Sequence, residues 1–364
     1  MKIGIVTIQH AKYSYGAILQ ALATNIICQR YSDEVDIINY ENYYEQKGIK
    51  SIGSGIINRI KRSLNYYCRM YIYGGYKNPY IDSRNIDAIY PSITARCYTS
   101  IQEMNNLDYD ILITGSDQVW NPVITGGLDP VYFLNFANPR KKISYASSMG
   151  SYILKDAEKT TVRNYLSSYY GVSVRENFAK DQLSVLYDKE IKVVLDPTLL
   201  LDKNQWLDYF KIKPQNKVEK YILTFFVTSG IDSYWSDIEQ YADYYKLPIW
   251  NIQSHNHKSS HVDKVISTPK VDDFLALIEN AEVIITNSFH GTAFAINFNK
   301  EFVPVLARKN PQRVVNLLEE LGLSNRINIS EVELNHPIDY DSVNKRLEEL
   351  RSDSINWLEN NIKD

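Results

Sequence analysis

Ala281-Glu282-Val283-Ile284-Ile285-Thr286-Asn287-Ser288-Phe289-His290-Gly291-Thr292-Ala293-Phe294-Ala295-Ile296 is the stretch from which the rest of the 364-residue chain is read. Its apolar opening is the pattern of a strand covered on both faces in a parallel sheet. Short polar residues then turn the chain, and an apolar helical pattern resumes at Thr292. Polar groups at the carboxyl end of such a strand, just ahead of a helix, lie where open α/β sheets bind ligands. The free N–H groups and the positive dipole end of that helix suit an anion. Asn287 and Ser288 are therefore candidate binding residues, and His290 is the group that can give or take a proton near neutral pH. A buried histidine bonded to backbone is the competing reading of His290.

The same alternation runs outward in both directions. Residues 2–8 read as a strand, followed by a loop carrying Tyr15 and Gly16, a helix from 17 to about 31, and a strand at 35–39. This βαβ opening lacks a full G-x-G-x-x-G, so a dinucleotide site is not expected. A strand at 109–114 ends in Gly115-Ser116-Asp117-Gln118, a second small, polar strand end suited to substrate contact. A turn in which Asp117 caps a short helix accounts for it equally. Strands at 142–147 and 171–174 follow, with a helix near 155–169 between them. The later strand ends in Arg175-Glu176-Asn177, where an arginine can clamp a carboxylate or phosphate through two parallel bonds, or simply pair with an acidic neighbour. After a strand at 191–195, Asp196-Pro197 marks a turn, and residues 202–206 read as a linker between domains.

The second half restarts the pattern: strands at 220–228 and 248–252, helices at 233–245 and 272–280, then the opening stretch. A short strand at 302–306 places Arg308 and Lys309 at the right end for anion contact. A helix at 311–321 and a long amphipathic helix from 341 onward complete the chain. The expectation is an α/β protein with two Rossmann-like domains. The first covers residues 1–200, with an insertion at about 44–80, and the second covers 201–364.

Composition narrows the function. A hydrophobic content of 44%, a charged content of 23% and a net charge of −3 belong to a globular protein without the basic face that nucleic acid requires. The 29 tyrosines fit sugar-stacking surfaces or a bias in composition. Cys28, Cys68 and Cys97 form no metal-spaced pair and no disulfide framework, which fits a reducing compartment. The apolar run at the amino end is too short for a signal peptide, and no stretch reaches the roughly 20 apolar residues of a membrane span. A cytoplasmic protein is expected. Residues 56–69 form a basic, aromatic helical pattern, either a peripheral contact with an anionic membrane face or an ordinary surface helix. His255, His257 and His261 raise a metal site, but no Cys, Asp or Glu joins them at fixed spacing, so no metal is expected.

Taken in order, these motifs resemble the polysaccharide pyruvyl transferase family. The pieces are Tyr15-Gly16-Ala17-Ile18-Leu19-Gln20, Gly115-Ser116-Asp117-Gln118-Val119-Trp120-Asn121, Ser144-Tyr145-Ala146-Ser147-Ser148, Ser173-Val174-Arg175-Glu176-Asn177, Asp196-Pro197-Thr198-Leu199-Leu200 and Ser288-Phe289-His290-Gly291. The resemblance implies a glycosyltransferase-B-like fold, two Rossmann-like domains facing across a cleft, with a C-terminal helix returning to the first. It implies phosphoenolpyruvate as donor and a sugar, such as galactose in a lipid-linked capsular or surface polysaccharide precursor, as acceptor. It also implies that no metal or dinucleotide cofactor is needed. His290 falls on the family's motif histidine and becomes the general acid. Arg175 falls on its S-x-R-E arginine and becomes an anion contact. One departure stands out: where many members carry Arg-x-His, this chain has Ser288, and Arg308, Lys309 or Arg313 is left to replace the missing cation. A nucleotide-sugar glycosyltransferase and a non-catalytic assembly component are the alternatives on the same fold.

Overall fold

The computed structural model describes residues 1–9, 14–42, 92–136, 139–213, 219–227, 234–253, 261–267, 269–306, 311–327 and 336–363. Residues 56–69, Arg308, Lys309, His255 and His257, on which earlier expectations fell, lie outside them. The strands are β1 (Lys2–Val6), β2 (Glu34–Ile37), β3 (Ile111–Thr114), β4 (Lys141–Ser147), β5 (Gly171–Val174) and β6 (Ile191–Val193), then β7 (Ile222–Phe225), β8 (Ile249–Gln253), β9 (Lys264–Ser267), β10 (Val283–Thr286) and β11 (Glu301–Pro304). They form two sheets, ordered β2-β1-β3-β4-β5-β6 and β11-β10-β7-β8-β9. Every pairing in them is parallel. β3, β5, β7 and β10 are buried at every residue, because crossover helices cover both sheet faces. This is the expected α/β architecture of two Rossmann-like lobes.

The topology sets where chemistry can occur. In the first sheet the winding reverses beside β1, which lies between β2 and β3. In the second it reverses beside β7, which lies between β10 and β8. Ligands of open α/β sheets bind outside the carboxyl ends of strands at such reversals. Ser116 and Asp117 follow β3, and Asn287 to His290 follow β10, so each lobe presents polar residues at its own reversal point.

The lobes share a core. One buried apolar cluster contains Ile18, Leu19 and Leu199 beside Phe225, Phe274 and Phe294. Tyr15, at the start of the helix Tyr15–Cys28, stacks on Phe274 with ring centroids 4.2 Å apart and donates its hydroxyl to the Pro269 carbonyl at 2.6 Å. The C-terminal helix Tyr340–Lys363 returns to the first lobe. There Leu195 N donates to Ser354 Oγ at 3.0 Å, Arg351 Nε to the Leu199 carbonyl at 2.8 Å, and Lys192 pairs with Asp353 at 2.9 Å.

Two local expectations need correction. Residues 202–206, expected as a linker between domains, do lie between the two sheets, but they open a helix. Asp202 caps the helix Lys203–Tyr209 through a capping box with Gln205, and Trp206 is fully buried with its indole N–H on the Thr198 carbonyl. The polar sequence concealed a D-x-x-Q cap, whose two reciprocal bonds satisfy helix-end N–H groups. Strand β9 was also not expected; it is an edge strand whose residues are largely exposed, so it carries no apolar run to betray it.

Candidate functional site

Asp196 is the hub of the candidate site. It follows β6, caps the short turn Pro197–Leu199, and is buried. Its Oδ1 accepts from Thr198 N at 3.0 Å and Thr198 Oγ1 at 2.7 Å. Its Oδ2 accepts from Ser116 Oγ at 2.9 Å and Arg175 Nη1 at 2.7 Å, and lies 3.6 Å from His290 Nε2. The sequence-predicted arginine and histidine, one from each lobe, thus converge on a single carboxylate oxygen. Burial alone would raise the pKa of Asp196. The His290 imidazole and then the Arg175 guanidinium outweigh it and hold the group well below the usual carboxylate range.

Arg175 leaves β5 into a ring of acidic groups. Besides Asp196, Glu176 Oε2 lies 3.8 Å from its Nε and Asp117 Oδ1 lies 3.8 Å from its Nη2. Its Nε and Nη2 are buried and make no hydrogen bond. One nitrogen is hydrogen-bonded, and the other two face carboxylates at ion-pair distance. Glu176 is fixed by its other oxygen, which accepts from Ser148 Oγ at 2.8 Å, Met149 N at 2.9 Å and Gly150 N at 3.2 Å. A register shift in β4, with Ala146 at φ 52°, precedes Ser148 at this position, while the Ser147 hydroxyl donates to the Thr114 and Gly115 carbonyls. Burial raises the Glu176 pKa, against the pull of Arg175 and Arg313.

Arg313 belongs to the helix Gln312–Glu320 of the second lobe. Its guanidinium carbon lies 5.8 Å from the centroid of the Phe289 ring, and that of Arg175 lies 4.6 Å from the same ring. Its Nε is buried without a hydrogen bond. Burial and then the neighbouring Arg175 charge depress its pKa, while Glu176, Asp117 and Asp196 pull it back. The side chain stays a cation, since guanidinium is not deprotonated in proteins.

His290 stands in the first turn of the helix Phe289–Asn297, capped by Ser288, whose Oγ accepts from Gly291 N at 3.2 Å. The imidazole packs against Gly16 of the other lobe so closely that a Cβ there would lie 1.9 Å from Nδ1. Its Nε2 is buried and unbonded. Asn287 accepts from Val227 N at 2.8 Å, joining the loops that follow β7 and β10.

His290, Arg175, Ser116, Asp117 and Gly16 therefore come together. Ser288 builds the helix cap. The Tyr15 hydroxyl is taken by Pro269, which makes Tyr15 a fastening between the lobes. Gln118 Oε1 accepts from Asn121 at 2.8 Å, and Asn177 is exposed at the start of a short helix with no bond to the cluster. Asp196 was read as a turn former within a family motif, Glu176 as an alternative partner of Arg175, and none of Asp196, Glu176, Ser148 and Phe289 as a site residue. The Asp-Pro-Thr pattern held a signal, because an Asp that caps a turn straight after a buried strand is itself buried and needs cationic partners. Among the described residues no group of His, Cys, Asp and Glu is placed to hold a metal, and no helix is long and apolar enough to cross a membrane.

The sequence profile of the polysaccharide pyruvyl transferase family matches residues 15–310. No curated protein matches the chain in sequence. Among solved structures, the chain is similar to a putative UDP-N-acetylglucosamine 2-epimerase from Listeria monocytogenes, with a TM-score of 0.54 at 8% identity over 96% of this chain and 91% of that one. It is also similar to the UDP-GlcNAc 2-epimerase from Neisseria meningitidis bound to UDP-GlcNAc, with a TM-score of 0.51 at 11% identity over 98% and 94%. At such identities the likeness shows the fold, two Rossmann-like lobes of the glycosyltransferase-B type.

Proposed function

The chain belongs to the polysaccharide pyruvyl transferase family, and from that premise we propose that it moves the enolpyruvyl group of phosphoenolpyruvate onto two hydroxyls of a sugar, releasing phosphate. The observation that carries this reading is the set of buried cationic donors meeting in the seam without a close hydrogen bond: Arg175 Nε and Nη2 and His290 Nε2, which stand 3.6–3.8 Å from carboxylates, and Arg313 Nε. A buried donor without a partner costs about 1–3 kcal/mol, more when charged, so a protein keeps such a set for a ligand that satisfies it. Phosphoenolpyruvate offers a carboxylate and a phosphate, two acceptor groups for two guanidiniums.

In this reading Arg175 and Arg313 hold the two anionic ends of the donor. Arg313 takes the place left by Ser288, reaching the same Phe289 ring from a later helix. His290, protonated and facing Asp196, gives its proton to the methylene carbon and makes the adjacent carbon electrophilic. One sugar hydroxyl attacks that carbon and returns its proton to the imidazole. The C–O bond to phosphate breaks, the second hydroxyl closes the cyclic ketal, and its proton leaves with the phosphate. General acid catalysis of this kind contributes roughly 10²–10⁴-fold. The acceptor is a galactose-type sugar on a lipid-linked capsular or surface polysaccharide precursor, handled on the cytoplasmic side of the membrane.

Incubation with phosphoenolpyruvate and a galactose-terminated lipid acceptor tests the reading. Phosphate release together with the mass gain of a pyruvyl ketal is expected, and His290→Ala should lose both while keeping its circular dichroism spectrum. Turnover by His290→Ala equal to that of the parent would overturn it.

A further inference from the structure

At the opposite end of the first sheet, the amino ends of β4, β5 and β6 surround an open cavity of about 380 Å³. Arg140, Lys141, Lys142 and Lys189 line it, and no carboxylate is among its described lining residues. Two of the lysines are held in place. Lys189 Nζ donates to the Tyr170 carbonyl at 2.9 Å and stands 5.1 Å from the centroid of the Tyr170 ring. Lys141 Nζ stands 4.7 Å from that ring and donates to the Ile362 carbonyl at 3.4 Å, at the end of the C-terminal helix. Tyr170 thus organises two ammonium groups whose carbonyl partners carry no full charge.

Lys142 is different. It is only 8% exposed, and its ammonium makes no hydrogen bond or ion pair with any described residue. Partial burial pulls its pKa down. Four basic residues line one concavity without a carboxylate among them, and a bound anion would offset the repulsion between those charges that face it. The ring of Tyr170 is 41% exposed beside them, an apolar platform next to cationic groups.

We infer that this cavity is a second anion site, distinct from the seam between the lobes, and that it takes the phosphate group of a sugar phosphate or of an anionic lipid headgroup. Because it lies at the amino ends of the strands, its occupation is independent of the chemistry proposed above.

The test uses the full chain, with inorganic phosphate and glucose 1-phosphate in calorimetric titrations, and vesicles of phosphatidylcholine with or without phosphatidic acid in co-sedimentation. Lys142→Gln and Lys189→Gln should each weaken one class of phosphate sites about tenfold and leave ketal formation unchanged. An exposed pair elsewhere, Lys155→Gln with Lys159→Gln, should alter neither. Binding to phosphatidic acid vesicles that is lost in Lys142→Gln identifies a lipid headgroup, and soluble phosphate binding without vesicle binding identifies a free phosphate ligand. The inference fails if both kinds of binding survive Lys142→Gln and Lys189→Gln, or if the Lys155/Lys159 pair reduces them as much. Lys142→Met, which removes the charge and keeps the apolar stem, guards against misfolding and should reproduce the loss.

Discussion

Gly16 of the first lobe and His290 of the second touch with no space between them: a methyl group built on Gly16 would lie 1.9 Å from Nδ1, 2.3 Å from Cγ and 2.6 Å from Cε1 of the imidazole. The root of the ring is blocked as well as its tip, so only a rotation that swings the whole imidazole away from Gly16 would clear the contact. The absent side chain of Gly16 is what allows the two lobes to bring the imidazole to Asp196.

Gly16→Ala is therefore a sensitive probe of the seam. Alanine improves helix propensity by about 1 kcal/mol, yet the clash must move His290 or part the lobes. A displacement near 1 Å is expected to reduce ketal formation about 100-fold, with helix content retained by circular dichroism. Parental activity in this variant would show that His290 does not act from the position described.

Asp196→Asn should destabilise the protein by about 3–5 kcal/mol at pH 7, since it leaves the buried Arg175 without its closest counter-charge. The pH dependence has a definite sign. The folded pKa of Asp196 lies below its unfolded value of about 3.9, so its contribution is complete above that pH and is lost as pH falls through and below it. The stability gap between parent and Asp196→Asn should shrink by about 1.4 kcal/mol per unit as pH falls below about 4. Urea unfolding across this range gives the gap directly, and a gap as wide at pH 3 as at pH 7 would contradict the assignment.

Arg313→Met should separate binding from stability. Losing a charge-assisted bond to the donor is expected to weaken phosphoenolpyruvate binding about 10- to 150-fold, corresponding to about 1.5–3 kcal/mol. The same change relieves the repulsion with Arg175 and removes an unbonded buried Nε, so the melting temperature should rise or stay level. Calorimetric titration and a thermal melt on the same sample decide the matter, and a lower melting temperature with unchanged binding would assign Arg313 to structure alone.

Tyr15→Phe should do the reverse. It leaves the Pro269 carbonyl without the phenol, at a cost of about 1–3 kcal/mol, while ring stacking on Phe274 persists. Donor affinity should change less than twofold by the same calorimetric titration, because the hydroxyl is spent on Pro269. A large loss of affinity at unchanged stability would return Tyr15 to the binding surface.

Residues 283–286 show how much a local pattern can carry. Their unbroken apolar run demands cover on both faces, which only a parallel sheet clothed in helices supplies, and the polar residues after it mark a ligand end. Ser116, Asp117, Arg175 and His290 were legible for that reason, each following directly on a buried strand. Asp196, Glu176 and Arg313 were not legible as a group, since their meaning lies in one another. A turn aspartate, an acidic neighbour and a helix arginine are unremarkable until packing removes them from water.

Most of the order of strands and helices, with β9 and the helix Lys203–Tyr209 excepted, the two-lobed α/β class and the end of each sheet at which chemistry belongs followed from the sequence itself, because hydrophobic period and turn chemistry act over a few residues. The tertiary structure alone decided that Arg175 and His290 share one oxygen of Asp196, that Arg313 reaches the ring of Phe289, and that Gly16 makes room for the imidazole. The contacts of His290 with Asp196 and with Gly16 join opposite lobes and are set by how the shared core seats one lobe on the other. Arg175 with Asp196 and Arg313 with Phe289 join separate elements within one lobe, and no local pattern encodes either.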